Sequence, residues 1–199
     1  MKKEVAIVGN GPLTHSDHCE IQASDVVVRF NLTPNFDCGY PKTTELFVAM
    51  PPMGSYVRKR KYKKDHAFLQ ADKVVFPYHP EIVKAKCKPL SLWKKIKGRK
   101  LDYTDDLINV CRLYQKDFEV FSVKTYNESC RKLNIYGDRN DFMPSSGFLS
   151  ILQVIDKYDL SEHSVKIFGF NFSGWAGHDW ISERNYIEIL HKTKILMIK

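Results

Sequence analysis

The stretch that decides the fold is EVAIVGNG, residues 4–11. Its short apolar run stops at Gly9, which is typical of a buried parallel strand that leads into a tight turn. Similar runs recur along the chain, each with a turn-forming residue within a few positions of its end. Together they predict strands over residues 4–8, 26–30, 45–49, 73–76, 118–123 and 165–168.

Helical patterns separate these strands. They predict helices over residues 80–97, 104–116, 123–133 and 146–158, and a last helix from an N-cap at Asp179 through Leu190. The alternation predicts an α/β fold in which a mostly parallel sheet is flanked by helices. With 199 residues and 43% hydrophobic content, the chain is long enough for one sizeable core, so we expect a single Rossmann-like domain over residues 1–199.

The composition indicates in which cellular compartment the protein is expected. No stretch approaches the roughly 20 consecutive apolar residues that a membrane-spanning helix requires, and the start of the chain does not resemble a signal peptide. The five cysteines are scattered, without a CxxC pair or the spacing of a metal site. We therefore expect a reduced, cytoplasmic protein without a bound metal.

The formal net charge is +8, and much of it lies in residues 58–64, RKRKYKK, and in residues 84–100. Such runs attract nucleic acids, anionic lipids and acidic glycans, which all present phosphates or carboxylates. An ordinary solvated surface explains them equally well. Because no nucleic-acid-binding module is recognisable, we expect peripheral contact with an anionic membrane or glycan rather than with a specific nucleic acid.

Ligands of open parallel sheets bind at the carboxyl ends of the strands, so the loops there are the candidate site. In the first loop, Gly9 and Gly11 would allow backbone amides to approach a phosphate. The loop lacks the dinucleotide-binding fingerprint, because Thr14 stands where a third small residue is expected. Arg29, rather than an acidic residue, lies near the end of the second strand, which leaves an NADP-dependent reductase open.

Two further loops carry polar groups suited to a nucleotide. Asn31 follows the second strand and offers both a donor and an acceptor, although a turn-forming role before Pro34 is the commoner explanation. Ser145 or Ser146 is a candidate N-cap for the helix that follows. With Gly147, the hydroxyls and unpaired amides at this helix start would hold ribose or phosphate oxygens.

The loop after residue 169 carries the candidate base. His178 lies just before the predicted helix start, where an imidazole can accept a proton, and Glu183 would hydrogen-bond its far nitrogen and fix the tautomer. The spacing does not match the HExxH zinc arrangement. Residues 102–106, DYTDD, superficially resemble a metal-binding DxD pattern, but a capped helix start explains them more simply.

These loops together resemble the motifs of the animal-type sialyltransferases, glycosyltransferase family 29. Residues 8–11 with residues 25–31 and Pro34 resemble the long sialylmotif. Residues 144–148 with residues 165–169 look like the short sialylmotif, and residues 178–183 match the spacing of the very short motif.

The resemblance implies a GT-A-like variant of the Rossmann-like fold and an inverting, metal-independent glycosyltransferase. It would move sialic acid or a related 2-keto sugar acid from a CMP-activated donor to a glycan or glycolipid acceptor, without a further cofactor. His178 would be the general base, supported by Glu183. The donor would be bound by Gly9, Asn10, Gly11, Asn31, Ser145, Ser146 and Gly147.

The chain also departs from that family. The usual disulfide partners and a membrane anchor are absent from the sequence, and the aromatic motif before the catalytic histidine is reduced to Trp175. It therefore looks like a compact bacterial relative, of the kind expected in lipopolysaccharide or capsule biosynthesis. Three alternatives stay open: a CMP-Kdo-dependent transferase, the NADP-dependent reductase, and a basic nucleic-acid-binding module.

Overall fold

The apolar runs form a parallel sheet in the computed structural model, which describes residues 2–37, 39–139 and 141–199. Within these residues, seven strands pair in parallel in the order β5-β4-β3-β2-β1-β6-β7. The strands are β1 (Lys3–Val8), β2 (Val26–Phe30), β3 (Glu45–Phe47), β4 (Lys73–Phe76), β5 (Asp117–Val120), β6 (His163–Phe168) and β7 (Met197–Ile198).

Helices connect the strands and cover both faces of the sheet. In chain order they are α1 (His15–Ala23), α2 (Gly54–Arg58), α3 (His66–Gln70), α4 (Pro80–Lys86), α5 (Leu92–Ile96), α6 (Thr104–Leu113), α7 (Val123–Lys132), α8 (Ser146–Lys157) and α9 (Trp180–Lys192). Short 3-10 helices lie at Lys61–Lys64 and Gly137–Arg139. No helix in the described ranges is long and apolar enough to cross a membrane.

Strand β1, in the interior of the sheet, is buried on both faces. Val5 and Ile7 belong to the main hydrophobic core, whereas Ala6 and Val8 pack in a second cluster with Ile21 of α1. Because successive side chains of a strand point to opposite faces, a strand covered on both sides needs an uninterrupted apolar run. This is why EVAIV reads as a run rather than as an alternation.

The strand order changes direction at β1. The chain builds the sheet outward from β1 through β2 to β5, and then returns so that β6 pairs with the other edge of β1. The connection after β1 leads to β2 on one side, and the connection after β6 leads to β7 on the other. Open parallel sheets bind ligands at the carboxyl ends of the strands where the strand order reverses in this way. The fold therefore predicts a ligand site at the loops after Val8, Phe30 and Phe168.

The predicted α/β class with a parallel sheet is confirmed, with differences in individual elements. The predicted helix over residues 80–97 is wrong: α4 ends at Lys86 and α5 begins at Leu92. Pro89 lies between them, and proline and its preceding residue both disfavour a continuous helix. Helix α1 was not predicted, because only Ile21 of its residues is buried and no apolar stripe marks it.

Candidate functional site

A pocket of about 220 Å³ opens at the carboxyl ends of β1, β2 and β6. It brings together most residues that the sequence singled out. These lining residues are Gly9, Asn10, Asn31, Ser145, Ser146, Gly147, His178 and Glu183. Gly11 lies just beyond this set, and Asn171, which the sequence analysis did not single out, joins the lining.

The two glycines of the first loop pack against the loop after β6. Their amides donate hydrogen bonds to protein carbonyls: Gly9 N to Phe168 O at 2.7 Å and Gly11 N to Gly169 O at 2.8 Å. A Cβ at Gly9 or Gly11 would lie 2.4 or 2.6 Å from the Gly169 oxygen. The expectation that these amides face a phosphate is therefore wrong. The glycines instead permit a close backbone contact that leaves the exposed Asn10 at the pocket.

Asn35 fixes this loop, a role that the sequence analysis missed. Its Nδ2 donates to Gly9 O at 2.7 Å and to Gly11 O at 2.9 Å. An asparagine after a proline is readily interpreted as a turn former, and its two partners lie in a different loop. The sequence offers no signal that would have identified this pair of hydrogen bonds.

Asn31 turns the chain at the end of β2 with φ of 52°, a left-handed conformation that asparagine tolerates better than most residues. Its backbone N donates to Phe47 O at 2.8 Å, and its Oδ1 accepts from Ala49 N at 2.9 Å. Within the described contacts its Nδ2 has no protein acceptor. Asn31 thus holds the loop and keeps one donor group available at the pocket.

The two serines at the start of α8 have different roles. Ser145 is the N-cap, and its Oγ accepts from Phe148 N at 3.0 Å. The amides of Ser146 and Gly147 have no acceptor in the described part of the chain. Because the first amides of a helix lack internal partners and lie at the positive end of its dipole, they form a ready anion site.

Glu183 contacts Ser145 and not His178. Its Oε1 accepts from Ser145 N at 2.7 Å, and its Oε2 accepts from Ser145 Oγ at 2.6 Å. The predicted hydrogen bond to His178 is thus wrong, since Glu183 instead ties the start of α9 to the start of α8. Burial raises the pKa of Glu183 to about 7, against the opposing effect of the two bonds from Ser145.

His178 is oriented by a backbone carbonyl. Its Nδ1 lies 2.7 Å from Met143 O, and because a carbonyl oxygen only accepts, Nδ1 carries the proton and Nε2 keeps a free lone pair. Burial lowers the pKa of His178, opposed by the bond to Met143. The imidazole is therefore neutral at pH 7 and able to accept a proton at Nε2.

Two indole rings hold the imidazole edge-on. Its centroid lies 4.9 Å from Trp175 and 5.0 Å from Trp180, at interplanar angles of 87° and 80°. Trp180 Nε1 donates to Trp175 O at 3.1 Å, which links the two tryptophans. The sequence analysis noted Trp175 but missed Trp180 and Met143. The pattern of aromatic residues on both sides of His178 was the available signal.

The segment before α8 also holds the loop that carries His178. Met143 N donates to Gly177 O at 2.9 Å. Arg139 forms an ion pair with Asp179, the N-cap of α9, and donates to Ser182 Oγ at 3.1 Å. Arg139 and Met143 therefore fix the backbone on either side of His178, and Met143 also fixes the proton on its Nδ1.

Arg29 is not available to a dinucleotide phosphate. Its side chain is fully buried, its Nε donates to Lys42 O at 3.2 Å, and its guanidinium lies 5.3 Å from the Phe36 ring centroid. Burial lowers its pKa to about 10. Arg29 does not line the pocket, so the feature that left an NADP-dependent reductase open has a structural role.

Acidic and metal-ligating groups are dispersed. Within the described ranges, no three His, Cys, Asp or Glu side chains form a group that would hold a metal ion. The N-cap position of α6 is Tyr103, which makes no side-chain capping bond. Asp102, one residue earlier, accepts hydrogen bonds from the backbone N and hydroxyl of Thr104, so its carboxylate has a local role at the helix start. Cys38 lies outside the described residues, and the four described cysteines are free thiols.

Known proteins resemble this chain chiefly in structure. No protein-family model matches the sequence. The urease operon 23 kDa accessory protein of Rhizobium meliloti is 24% identical over 195 residues, which cover 94% of this chain and 88% of that protein.

Solved sialyltransferases align over almost the whole chain. A mammalian enzyme in complex with Gal-beta-1-3GalNAc-ortho-nitrophenol matches with a TM-score of 0.56 and 19% identity, covering 100% of this chain and 69% of that one. CstII of Campylobacter jejuni in complex with CMP-3FNeuAc matches with a TM-score of 0.55 and 17% identity, covering 100% and 81%. The chain has the sialyltransferase fold. At this level the resemblance read from the sequence is confirmed, and the pocket lies where the strand order of the sheet reverses.

Proposed function

We propose that this protein is a glycosyltransferase that moves a sialic acid or a related 2-keto sugar acid from a CMP-activated donor to a glycan or glycolipid acceptor. One observation carries the proposal. The pocket at the switch point combines free amides at a helix start with a neutral histidine whose Nε2 is unprotonated. The sialyltransferase fold supports it, because solved proteins with this fold hold CMP and a trisaccharide acceptor.

The nucleotide phosphate is assigned to the start of α8. The amides of Ser146 and Gly147 donate to it there, and the helix dipole favours its negative charge. Asn10 is exposed in the pocket and Asn31 keeps a free Nδ2, so these two side chains are assigned to the ribose and the base. Glu183 and Ser145 act as positioning residues, because they set the start of α8 relative to α9.

The transfer follows from this placement. The acceptor hydroxyl oxygen attacks the anomeric carbon of the donor, and the bond from that carbon to the phosphate oxygen breaks with its electron pair on CMP. The transition state has oxocarbenium character, as in glycoside hydrolysis. The acceptor proton passes to Nε2 of His178, and direct displacement inverts the anomeric configuration.

The identity of the donor sugar and the cellular setting are inferred from the resemblance to the sialyltransferases. CMP-Kdo carries the same nucleotide and another 2-keto sugar acid, so a donor panel of CMP-sialic acid and CMP-Kdo separates the two. Metal-independent transfer predicts full activity in EDTA, and complete loss there contradicts it. The proposal includes a bacterial cytoplasmic setting in lipopolysaccharide or capsule assembly.

The first experiment is calorimetry of the purified protein with CMP, CDP, ADP and NADPH, without added metal. We expect selective binding of CMP, since the pocket supplies amide donors but no exposed arginine for a 2′-phosphate. Preference for NADPH would favour the NADP-dependent reductase instead, and no binding of any nucleotide would contradict the proposal.

The second experiment tests the base. His178→Gln should lower transfer by about 10²–10⁴-fold, the range for loss of a general base, while the affinity for CMP stays within a few-fold of the wild-type value. His163→Gln is the matched control, because His163 lies at the start of β6, away from the pocket. Strong residual turnover of His178→Gln at neutral pH would contradict the assignment.

A further inference from the structure

Helix α5 (Leu92–Ile96) contributes nothing to the core. None of its side chains is buried, and every residue from 91 to 100 is exposed. Its three apolar side chains are the clearest case, with Leu92 73%, Trp93 72% and Ile96 66% exposed. Exposed single apolar residues are common, but three of them on one short helix form a patch that requires an explanation.

The apolar side chains of α5 share one face. Leu92 and Ile96 are four residues apart and Trp93 and Ile96 are three apart, which are the separations at which helix side chains are neighbours. Lys94 and Lys95 occupy the remaining positions of the helix. The segment is therefore amphipathic, with an aromatic and aliphatic face and a cationic face.

The charge around α5 has one sign. Residues 82–101 contain eight lysines and arginines and no aspartate or glutamate. Lys100 pairs with Asp106 at 2.9 Å, whereas Lys94, Lys95, Lys97 and Arg99 have no ion pair with any described residue. This density of cations matches the clusters of four to eight that recognise anionic phospholipids.

The fold holds this segment on the pocket side of the sheet. Before it, Tyr78 follows the carboxyl end of β4, and its hydroxyl donates to Pro144 O at 2.8 Å, beside the start of α8. After it, the Tyr103 hydroxyl accepts from Lys100 N at 3.0 Å. The Tyr103 ring also packs so closely on Gly54 that a Cβ there would lie 2.9 Å away. Tyr78 and Tyr103 thus anchor the chain before and after the segment, although residues 91–100 themselves are exposed.

We propose that residues 91–100 form a docking site for a bilayer that contains anionic phospholipids. Leu92, Trp93 and Ile96 enter the boundary between headgroups and acyl chains, where tryptophan is favoured. Lys94, Lys95, Lys97 and Arg99 reach lipid phosphates while their methylene stems cover apolar surface. The site is distinct from the pocket, and docking there presents the carboxyl edge of the sheet to the membrane.

A second copy of this chain is a poorer occupant. Two such segments face to face would juxtapose eight unpaired cations, and like charges repel. One five-residue helix also supplies far fewer than the roughly 20–30 residues a side of a stable interface. The anionic bilayer satisfies the charge and requires no such area of shape complementarity.

The charge is tested by co-sedimentation with vesicles of phosphatidylcholine alone and of an equal mixture with phosphatidylglycerol. We expect binding only to the mixture, and weaker binding at high salt. Lys94→Gln/Lys95→Gln/Lys97→Gln should weaken it by roughly fivefold for each charge removed. The matched control is Arg131→Gln/Lys132→Gln/Lys192→Gln, which removes the same charge from exposed positions elsewhere. Equal loss in both variants, or no binding to either vesicle, overturns the proposal.

The apolar face is tested separately. Leu92→Ser/Ile96→Ser should weaken vesicle binding, whereas the matched control Leu113→Ser/Ile189→Ser, at residues that are 79% and 58% exposed, should not. Trp93 emission should shift to shorter wavelength on addition of the mixed vesicles, and Trp93→Phe should remove that shift. A shift that appears without vesicles and grows with protein concentration would identify self-association instead. CMP calorimetry of the same variants keeps failure of this proposal distinct from failure of the transferase proposal.

Discussion

At the scale of single residues, the Glu183 carboxyl group couples stability to pH. It is 2% exposed, and burial raises its pKa from an ordinary value of 4.5 to about 7. Because the folded state then binds a proton more tightly than the unfolded state, protonation of Glu183 stabilises the fold. This contribution is fully present below pH 4.5 and is lost as the pH rises through 7. At about 1.4 kcal/mol for each pH unit, it amounts to about 3 kcal/mol.

Glu183→Gln should remove this pH dependence, because glutamine keeps the size and the hydrogen-bonding capacity of a protonated glutamate. We expect the free energy of unfolding of the wild type to fall relative to that of the variant as the pH rises from 4.5 to 7. Urea denaturation across this range measures the difference, in which the other titrating groups cancel. Parallel curves for the two proteins would show that the carboxyl titrates in its ordinary range.

Asn35 is the second residue with a measurable role, since one Nδ2 group serves two carbonyl oxygens of the first loop. Asn35→Ala should lower the free energy of unfolding by about 2 kcal/mol, at about 1 kcal/mol for each hydrogen bond. Asn35→Asp should be more harmful, because a carboxylate oxygen would face the oxygens of Gly9 and Gly11. Asn185→Asp, at an exposed position of α9, is the control. Similar stability of the two aspartate variants would contradict this role.

At the scale of elements, the loops after β1 and β6 depend on direct backbone contact. Gly11→Ala should be destabilising by about 1–3 kcal/mol, the usual range for overpacking, because its Cβ would meet the Gly169 oxygen at 2.6 Å. Gly147→Ala places its Cβ 3.0 Å from the Phe170 ring, and a side chain moves aside more easily than a backbone. Thermal denaturation compares the two, and equal losses would show that the loops adjust freely.

The same elements show how far sequence reasoning reaches. The strands were predictable because burial on both faces imposes apolar runs such as residues 5–8, and the carboxyl-edge loops followed from parallel pairing. The partners of individual groups were not predictable. The amide of Gly9 binds Phe168 O, and the carboxylate of Glu183 binds Ser145. Both choices depend on tertiary distances that no local pattern encodes.

The start of α1 shows a signal that was present but not used. Thr14 Oγ1 accepts from Asp17 N at 3.2 Å, and Asp17 Oδ2 accepts from Thr14 N at 2.8 Å, which is a reciprocal capping box. The threonine and an acidic residue three positions later are visible in the sequence. The break after α4 was likewise marked by Pro89. Apolar periodicity alone does not predict these features, because side-chain capping and proline chemistry determine the structure at both places.

At the scale of the whole molecule, the strand order makes the pocket a meeting point of distant segments. Residues 9–10 and 31 reach it from one side of the switch point, and residues 145–148 and 169–178 reach it from the other. A ligand that touches all of them binds only the folded chain. At a hundredfold excess over its Kd it should add about 2.7 kcal/mol to the free energy of unfolding.

Hydrogen–deuterium exchange would show whether CMP connects these segments. We expect CMP to slow amide exchange in residues 9–10 and 31 and in residues 145–148 together, because the ribose and base assigned to Asn10 and Asn31 and the phosphate assigned to the start of α8 would restrict both sides of the pocket. Residues 91–100 are exposed and lie outside the pocket lining, so their exchange should not change and they serve as the internal control. His178→Gln should keep the same protection, because the proposed mechanism assigns its Nε2 to the acceptor hydroxyl and not to the nucleotide. Protection of residues 9–10 and 31 alone would contradict the assignment of the phosphate to Ser146 and Gly147, and protection of residues 145–148 alone would contradict the assignment of the ribose and base to Asn10 and Asn31.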